Sequence, residues 1–446
     1  MRLYILLFRL QLSFFPATIG FTVTSLIKMN ATRRKFISDL TSLGVRERVP
    51  VRVNESNSNC IIHLGVVGDV MIGRGVDAIL PHSVDSTIHE SYVKDANDYV
   101  RLAVRENGPL SNEELRHRGS SYIWGDVEQD LLSPDALIIN LETALTQSEN
   151  WAMDKGINYR SHPRNVESLT AIGVKVATLA NNHVLDWGED GLKETIKTLD
   201  NAGIYSVGAG VTQEEAAKPI FFDIDKENGS ITVAVLAIGF PSAGVPLDWK
   251  ADDVKCGVNV EEEADEGVAQ RTIDSVKNHA RKVLGRDPDV IIVSLHWGAN
   301  WAWGIPSNWR KFSHKLVDLG ADVVIGHSSH HVKGIEVYKN KFIAYGLGDF
   351  LNDYEGIVGQ GYEDYRHDLA AFYTLSIELN QGGPTTLVNV DIIPCKIQHL
   401  KVQRATDSSD IAWLQSAFHK EGKDLRTSCE IKKKTDGSTT LGLNWL

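Results

Sequence analysis

Short apolar runs recur along the chain, and they do not alternate with polar positions. "IIHLGVV", "DALIINLE", "VKVATLANNH", "ITVAVLAIGF", "DVIIVSLHWG", "ADVVIGH" and "KFIAYGLGDF" are rich in Val and Ile and lack a period of two. That pattern predicts strands covered on both faces. Between the runs the spacing becomes helical. Leu192, Ile196 and Leu199 fall at i, i+4 and i+7, behind acidic Glu189 and Asp190 and ahead of Gly203. Phe312, Leu316 and Leu319 repeat that spacing and stop at Gly320, and Ile273, Val276, Ala280 and Val283 form a stripe that ends at Gly285. Each stripe reads as a face packed on a core rather than as a cofactor contact. "AFYTLSIEL" and "TTLVNVDIIP" follow as closely spaced strands, so part of the sheet is predicted antiparallel. Alternating strands and helices place the chain in the α/β class.

The ends follow other patterns. Residues 1–28 carry an apolar stretch broken by Arg9, Gln11 and Pro16, with a second candidate start at Met29. This is a candidate signal peptide or membrane anchor. If it is a leader, the protein is secreted or membrane-anchored; otherwise it is cytoplasmic. Sequons at Asn30, Asn54 and Asn228 fit export and also arise by chance. Residues 29–59 read as a polar arm, 60–395 as one large domain, and 396–446 as a polar C-terminal extension.

Composition narrows the function classes. The 446 residues carry 46 basic and 58 acidic side chains, a net charge of −12, which argues against a nucleic-acid-binding surface. The 4 cysteines are scattered without a CxxC, so neither a disulfide framework nor a thiolate zinc cluster is expected.

The informative polar residues stand at the ends of the apolar runs. "GVVGD" ends on Asp69, "ALIINLE" on Asn140 and Glu142, and "VATLANNH" on Asn182 and His183. "IIVSLH" ends on His296, and "DVVIGHSSH" on His327 and His330. In α/β sheets ligands bind beyond the carboxyl ends of strands, where loops from distant parts of the sequence converge. Any one of these residues alone reads as a cap, a surface charge or a satisfied core histidine. Together they form a mixed carboxylate, carboxamide and imidazole set, which suits Mn, Fe or Zn rather than Ca or Mg. The set is large enough for one or two divalent ions, and a bridging carboxylate holds such a pair about 3.5–4 Å apart.

The ordered motifs "GDVMIGR", "INLETALT", "TLANNHVLDWG", "VSLHWG" and "ADVVIGHSSHHVKGIEVYKNKFIAYGLGDF" resemble those of CapA-type proteins, the capsule or poly-γ-glutamate synthesis family of the metallophosphatase superfamily. The resemblance spans about residues 62 to 395. It implies a four-layer αββα sandwich of the calcineurin-like metallophosphoesterase type. It also implies that Asp69 ligates one metal and Glu142 bridges. Asn182, His296 and His327 complete the second metal's shell, and His330 returns to the first. His183 is implied as the general acid, with Asp186 orienting it. Arg74, Lys155, Arg160 and Asp349 are the candidates for contacting an anionic small-molecule or polymer substrate. The chain departs from phosphoesterases at Met71, which stands where D-x-H would place an imidazole, and in "GHSSH", one residue longer than GHxH.

Two main readings follow: a metal-dependent hydrolase of a phosphoester or polyglutamate-like substrate, or a capsule or polyglutamate assembly protein that binds its chain without such chemistry. A scaffold that has lost catalysis is the third.

Overall fold

Ile62, Leu64, Val66 and Val70 on the first strand are each 0% exposed, because the strand is buried on both faces from Leu64 onward. The structure, a computed structural model, describes residues 60–446 apart from residue 228 and residues 381–382. The expected leader and arm, with sequons Asn30 and Asn54, and the sequon Asn228 lie outside the described residues.

The chain enters with four parallel strands, β1 (Cys60–Val70), β2 (Ala136–Leu141), β3 (Val174–Thr178) and β4 (Tyr205–Val207). It then builds a second, six-stranded sheet from β5 (Ile220–Lys226), β6 (Gly229–Gly239), β7 (Val290–His296), β8 (Val323–His327), β9 (Ile335–Tyr338) and β10 (Lys341–Ala344), in the order β9-β10-β8-β7-β6-β5. Finally it returns to the first sheet with β11 (Asp349–Leu351), β12 (Leu369–Leu379), β13 (Thr386–Ile397), β14 (Val402–Arg404), β15 (Thr427–Lys433) and β16 (Thr439–Trp445). That ten-stranded sheet runs β15-β16-β13-β12-β1-β2-β3-β4, with β11 beside β1 and β14 beside β13. Both sheets are mixed: β12 runs antiparallel to β1, and β5 antiparallel to β6.

The alternation along β6 shows how the second sheet is covered. Val233, Val235 and Ala237 share a hydrophobic cluster with Ile138 and Val176 of the first sheet. Ala234, Leu236 and Ile238 point the other way, into a cluster with Val276 of α2 (Glu266–Leu284) and Leu316 of α3 (Ser307–Leu319). Successive strand side chains take opposite faces, so one face of this sheet meets the other sheet and the second is roofed by helices. The stripe at Leu192 and Leu199 lies buried on α1 (Gly188–Asn201), whereas Val283 at the end of α2 is 49% exposed.

Two sequence expectations change. "KFIAYGLGDF" is not one strand: β10 belongs to the second sheet and β11 to the first. The chain crosses between them through Gly348, at φ 80°, which an L side chain rarely adopts. There the backbone of β1 comes close, with the Asp69 amide donating to the Gly348 carbonyl at 2.9 Å. A Cβ on Gly68 would lie 1.8 Å from that same oxygen, so only glycine fits. The boundary expected near residue 395 falls inside β13, and the remaining residues continue the first sheet through β14, β15, β16 and α4 (Ser408–Gly422). Among the described residues, no helix is long and apolar enough to cross a membrane.

Candidate metal centre

The crossing at Gly348 aligns Asp349 with Asp69 on adjacent parallel strands. Around this pair the ends of β1, β2, β3, β7 and β8 converge. A carboxamide relay ties three of them together: Asn140 donates to Asp69 at 2.9 Å, and its carbonyl oxygen accepts from Thr178 and Asn181, each at 3.1 Å. Asn181 is spent on the backbone, accepting from the amides of His183 (3.0 Å) and Val184 (3.1 Å) and donating to the Leu141 carbonyl. This fixes the turn after β3 and sets where Asn182 and His183 stand.

Two sets of buried side chains bring ligand atoms within 4.8 Å of one another: Asp69 with His330 and Asp349, and Asp69 with Glu142 and His296. The carboxylate common to both is Asp69, where the resemblance implied Glu142. Asp349, expected on the substrate side, joins the first set. Met71 is buried and accepts the Gly73 amide on its sulfur at 3.1 Å, while His330 supplies the imidazole near Asp69 and Asp349.

Two of the imidazoles present lone pairs. A carboxylate can only accept, so His327 donates through Nδ1 to Asp69 at 2.9 Å, and its Nε2 is buried without a partner. His296 donates through Nε2 to the Asn182 side-chain oxygen at 3.0 Å, and its Nδ1 is likewise buried and unpartnered. His330 donates to Asp349 at 2.8 Å and faces the Asn300 amide at 3.0 Å. Buried polar atoms without partners are rare and costly, and an imidazole lone pair beside crowded carboxylates is what a divalent cation coordinates. The donor set therefore fits a metal.

Electrostatics point the same way. Burial alone would raise the Asp69 carboxyl, but the hydrogen bond from His327 outweighs it and holds the group well below the usual range. Glu142 is driven well above its usual value, first by burial and then by the Asp69 charge. Burial brings the His296 imidazole down to about 3.

His183 sits at the edge of these groups. Its Nδ1 lies 2.6 Å from Asp186 and 3.0 Å from the Lys155 ammonium, and its Nε2 lies 3.7 Å from Glu142. Tyr159 stacks on its ring at 4.0 Å and donates its backbone amide to Asp186 at 2.6 Å. Burial, followed by the Lys155 charge, brings this imidazole down to about 4. Lys155 also donates to Asp186 and to the Asn182 carbonyl, so it braces the loop from within.

The two arginines are engaged by the protein's own groups, Arg74 lying 4.8 Å over the Tyr159 ring. Arg74 is buried and committed to Asp353, Glu90 (2.8 Å) and the Tyr99 hydroxyl (2.9 Å). Arg160 stacks 3.8 Å over Trp187 and donates to the Ser148 carbonyl at 2.7 Å. Asn300 and Tyr159 join the site without any motif in the sequence to mark them.

Residues 63–354 match the profile of a family described as "Bacterial capsule synthesis protein PGA_cap". The chain belongs to this family. A Mycobacterium tuberculosis protein named "Probable polyglutamine synthesis accessory protein" is 39% identical over 359 residues, covering 79% of this chain and 89% of its own length. The "PGA biosynthesis protein CapA" of Bacillus subtilis is 28% identical over 316 residues, 69% of this chain and 77% of its own. Among solved structures, "GAP50 the anchor in the inner membrane complex of Plasmodium" covers 80% of this chain and 95% of its own at 9% identity and a TM-score of 0.31, too loose to add to the fold. The stretch matching the capsule-synthesis family contains every ligand-capable residue from Asp69 to Asp349.

Proposed function

We propose that this CapA-family protein is a metal-dependent hydrolase of an anionic substrate, a phosphoester or a polyglutamate-like chain, on a four-layer αββα sandwich of the calcineurin-like metallophosphoesterase type. The observation that carries the reading is the pair of ligand sets sharing Asp69, with His296 of one set and His327, which donates to Asp69, each keeping one buried nitrogen unpartnered. Asp69, Glu142, His296, His330 and Asp349 would hold one or two divalent ions (Mn, Fe or Zn), with Asn182 and His327 alongside. When bound, such an ion supplies Lewis-acid polarisation and a lowered water pKa.

The chain's own residues do the rest. Asp186 holds the His183 proton on Nδ1, which leaves Nε2 as the atom that exchanges a proton with a substrate oxygen. An anionic substrate beside Nε2 favours the charged imidazole and makes His183 the general acid. Lys155 keeps Asp186 and the Asn182 turn in place.

The second reading, assembly or binding of an anionic polymer without hydrolysis, is favoured by the names of the relatives. Turnover of metal-loaded protein and of its His183→Ala variant on a panel of phosphoesters and γ-glutamyl peptides separates the two. Hydrolysis lost in the variant supports the first reading, and no turnover by the loaded wild-type protein supports the second.

A further inference from the structure

A cavity of about 60 Å³ is lined by Asn158, Arg160, Trp187, Arg74 and Asp77, with the exposed Ser83 and Asp85 at its rim. The same short loop serves the cavity and the His183–Asp186 pair. Asn158 and Arg160 flank Tyr159, which stacks on His183, and Trp187 follows Asp186 in sequence.

The polar groups of this cavity are not balanced. Arg160 is 8% exposed, yet its hydrogen bonds go to two backbone carbonyls, of Ser148 at 2.7 Å and Asp85 at 3.5 Å. Among the described residues no carboxylate reaches it within ion-pair distance. The nearby Asp77 carboxylate is spent, accepting from the Ser161 hydroxyl, the Asn165 side chain and the amides of His162 and Val84. Asp85, Asp77 and Glu149 favour the Arg160 charge from a distance, but none pairs with it directly. Two further atoms are buried without partners, the Trp187 Nε1–H donor and the Asn158 Oδ1 acceptor. The Asn158 orientation is set by its own amide, which donates to the Lys155 carbonyl at 3.4 Å.

A ligand that satisfies all three must bring negative oxygens for Arg160 and Trp187 and an N–H for Asn158. A carboxylate with a neighbouring amide N–H does this. Phosphate supplies the oxygens, and an ordinary carboxylic acid lacks the donor. We propose that this cavity, apart from the metal-ligand sets, is a recognition site for the end group of an N-acylated amino acid: a carboxylate held by Arg160 and Trp187, and its amide N–H held by Asn158.

The proposal stands independently of hydrolysis, because binding is read calorimetrically on full-length, metal-free protein. Three probes decide it: N-acetylglycine, its isostere 4-oxopentanoate with CH₂ in place of N–H, and inorganic phosphate. N-acetylglycine is expected to bind one per chain, roughly tenfold or more tighter than either of the others, as for one buried hydrogen bond. Arg160→Gln abolishes that binding. Asn158→Leu, which keeps the guanidinium, brings N-acetylglycine and 4-oxopentanoate to equal affinity. The proposal is overturned if no probe binds, if phosphate or 4-oxopentanoate equals N-acetylglycine on the wild-type protein, or if a folded Arg160→Gln variant binds as before.

Discussion

His327 gives its Nδ1 proton to Asp69 at 2.9 Å, and the opposite nitrogen of its ring is buried without a partner. The hydrogen bond fixes the tautomer, and the tautomer fixes which nitrogen offers a lone pair. Replacing His327 by Asn removes that lone pair. The variant is expected to fold, with thermal unfolding in EDTA close to that of wild type. It is expected to lose most of the rise in Tm that added Mn or Zn gives wild type through binding linkage.

The dyad prediction concerns rate. His183→Gln is expected to lower turnover of the substrate by about 10²–10⁴-fold, the usual range for a general acid. Asp186→Asn is expected to lower kcat with a smaller effect on KM, because it frees the imidazole to turn without touching substrate. Steady-state kinetics of the two variants check both.

Arg74 makes a prediction about stability. Its guanidinium, 4% exposed, balances the carboxylates of Asp353 and Glu90. Arg74→Met leaves both without a cation, at a cost of about 3–5 kcal/mol for breaking a buried pair. Urea melts should show the loss, and removing Asp353 as well should recover part of it. A substrate-contacting arginine would instead raise KM and leave the melt unchanged.

Much of this site is written at the ends of apolar runs. Asp69, Glu142, His296 and His327 are found there because a buried strand has little local use for such side chains, so their presence is conspicuous. The nearness of Asp349 to Asp69 is not legible in the sequence, for a topological reason. Its run looks continuous, and only the crossing at Gly348 carries it from one sheet to the other and against Asp69. The partners of Arg74 are hidden by sequence distance: its neighbours in space, Glu90 and Asp353, are 16 and 279 residues away. The polar C-terminal residues looked like an appendage, yet β16 pairs with β13. The edge strand β15 is solvated along Glu430 to Lys433, which dilutes the apolar signal a central strand gives.

Acid should loosen the fold in a defined window. Burial brings the His331 imidazole down to about 4, whereas an unfolded histidine titrates near about 6.5. Between those values the unfolded chain binds more protons, so stability present at neutral pH is lost as pH falls through the window. His183 and His296 act in the same direction. The His331 share of the difference between urea melts at pH 7 and at pH 4.5 is expected to be on the order of 1–3 kcal/mol, while the buried Asp77 carboxyl, raised to about 6, works in the opposite sense. His331→Gln should reduce the difference.

Metal content decides the central claim, that the sets meeting at Asp69 are a metal centre. Elemental analysis of the purified wild-type protein and its Asp69→Asn variant, each exposed to Mn, Fe and Zn and then desalted, is the direct measurement. The account predicts one or two equivalents in wild type and a near-complete loss in the folded variant, because both sets lose their common ligand. A wild-type protein that retains no metal, or an Asp69→Asn protein that keeps the full complement, would contradict it.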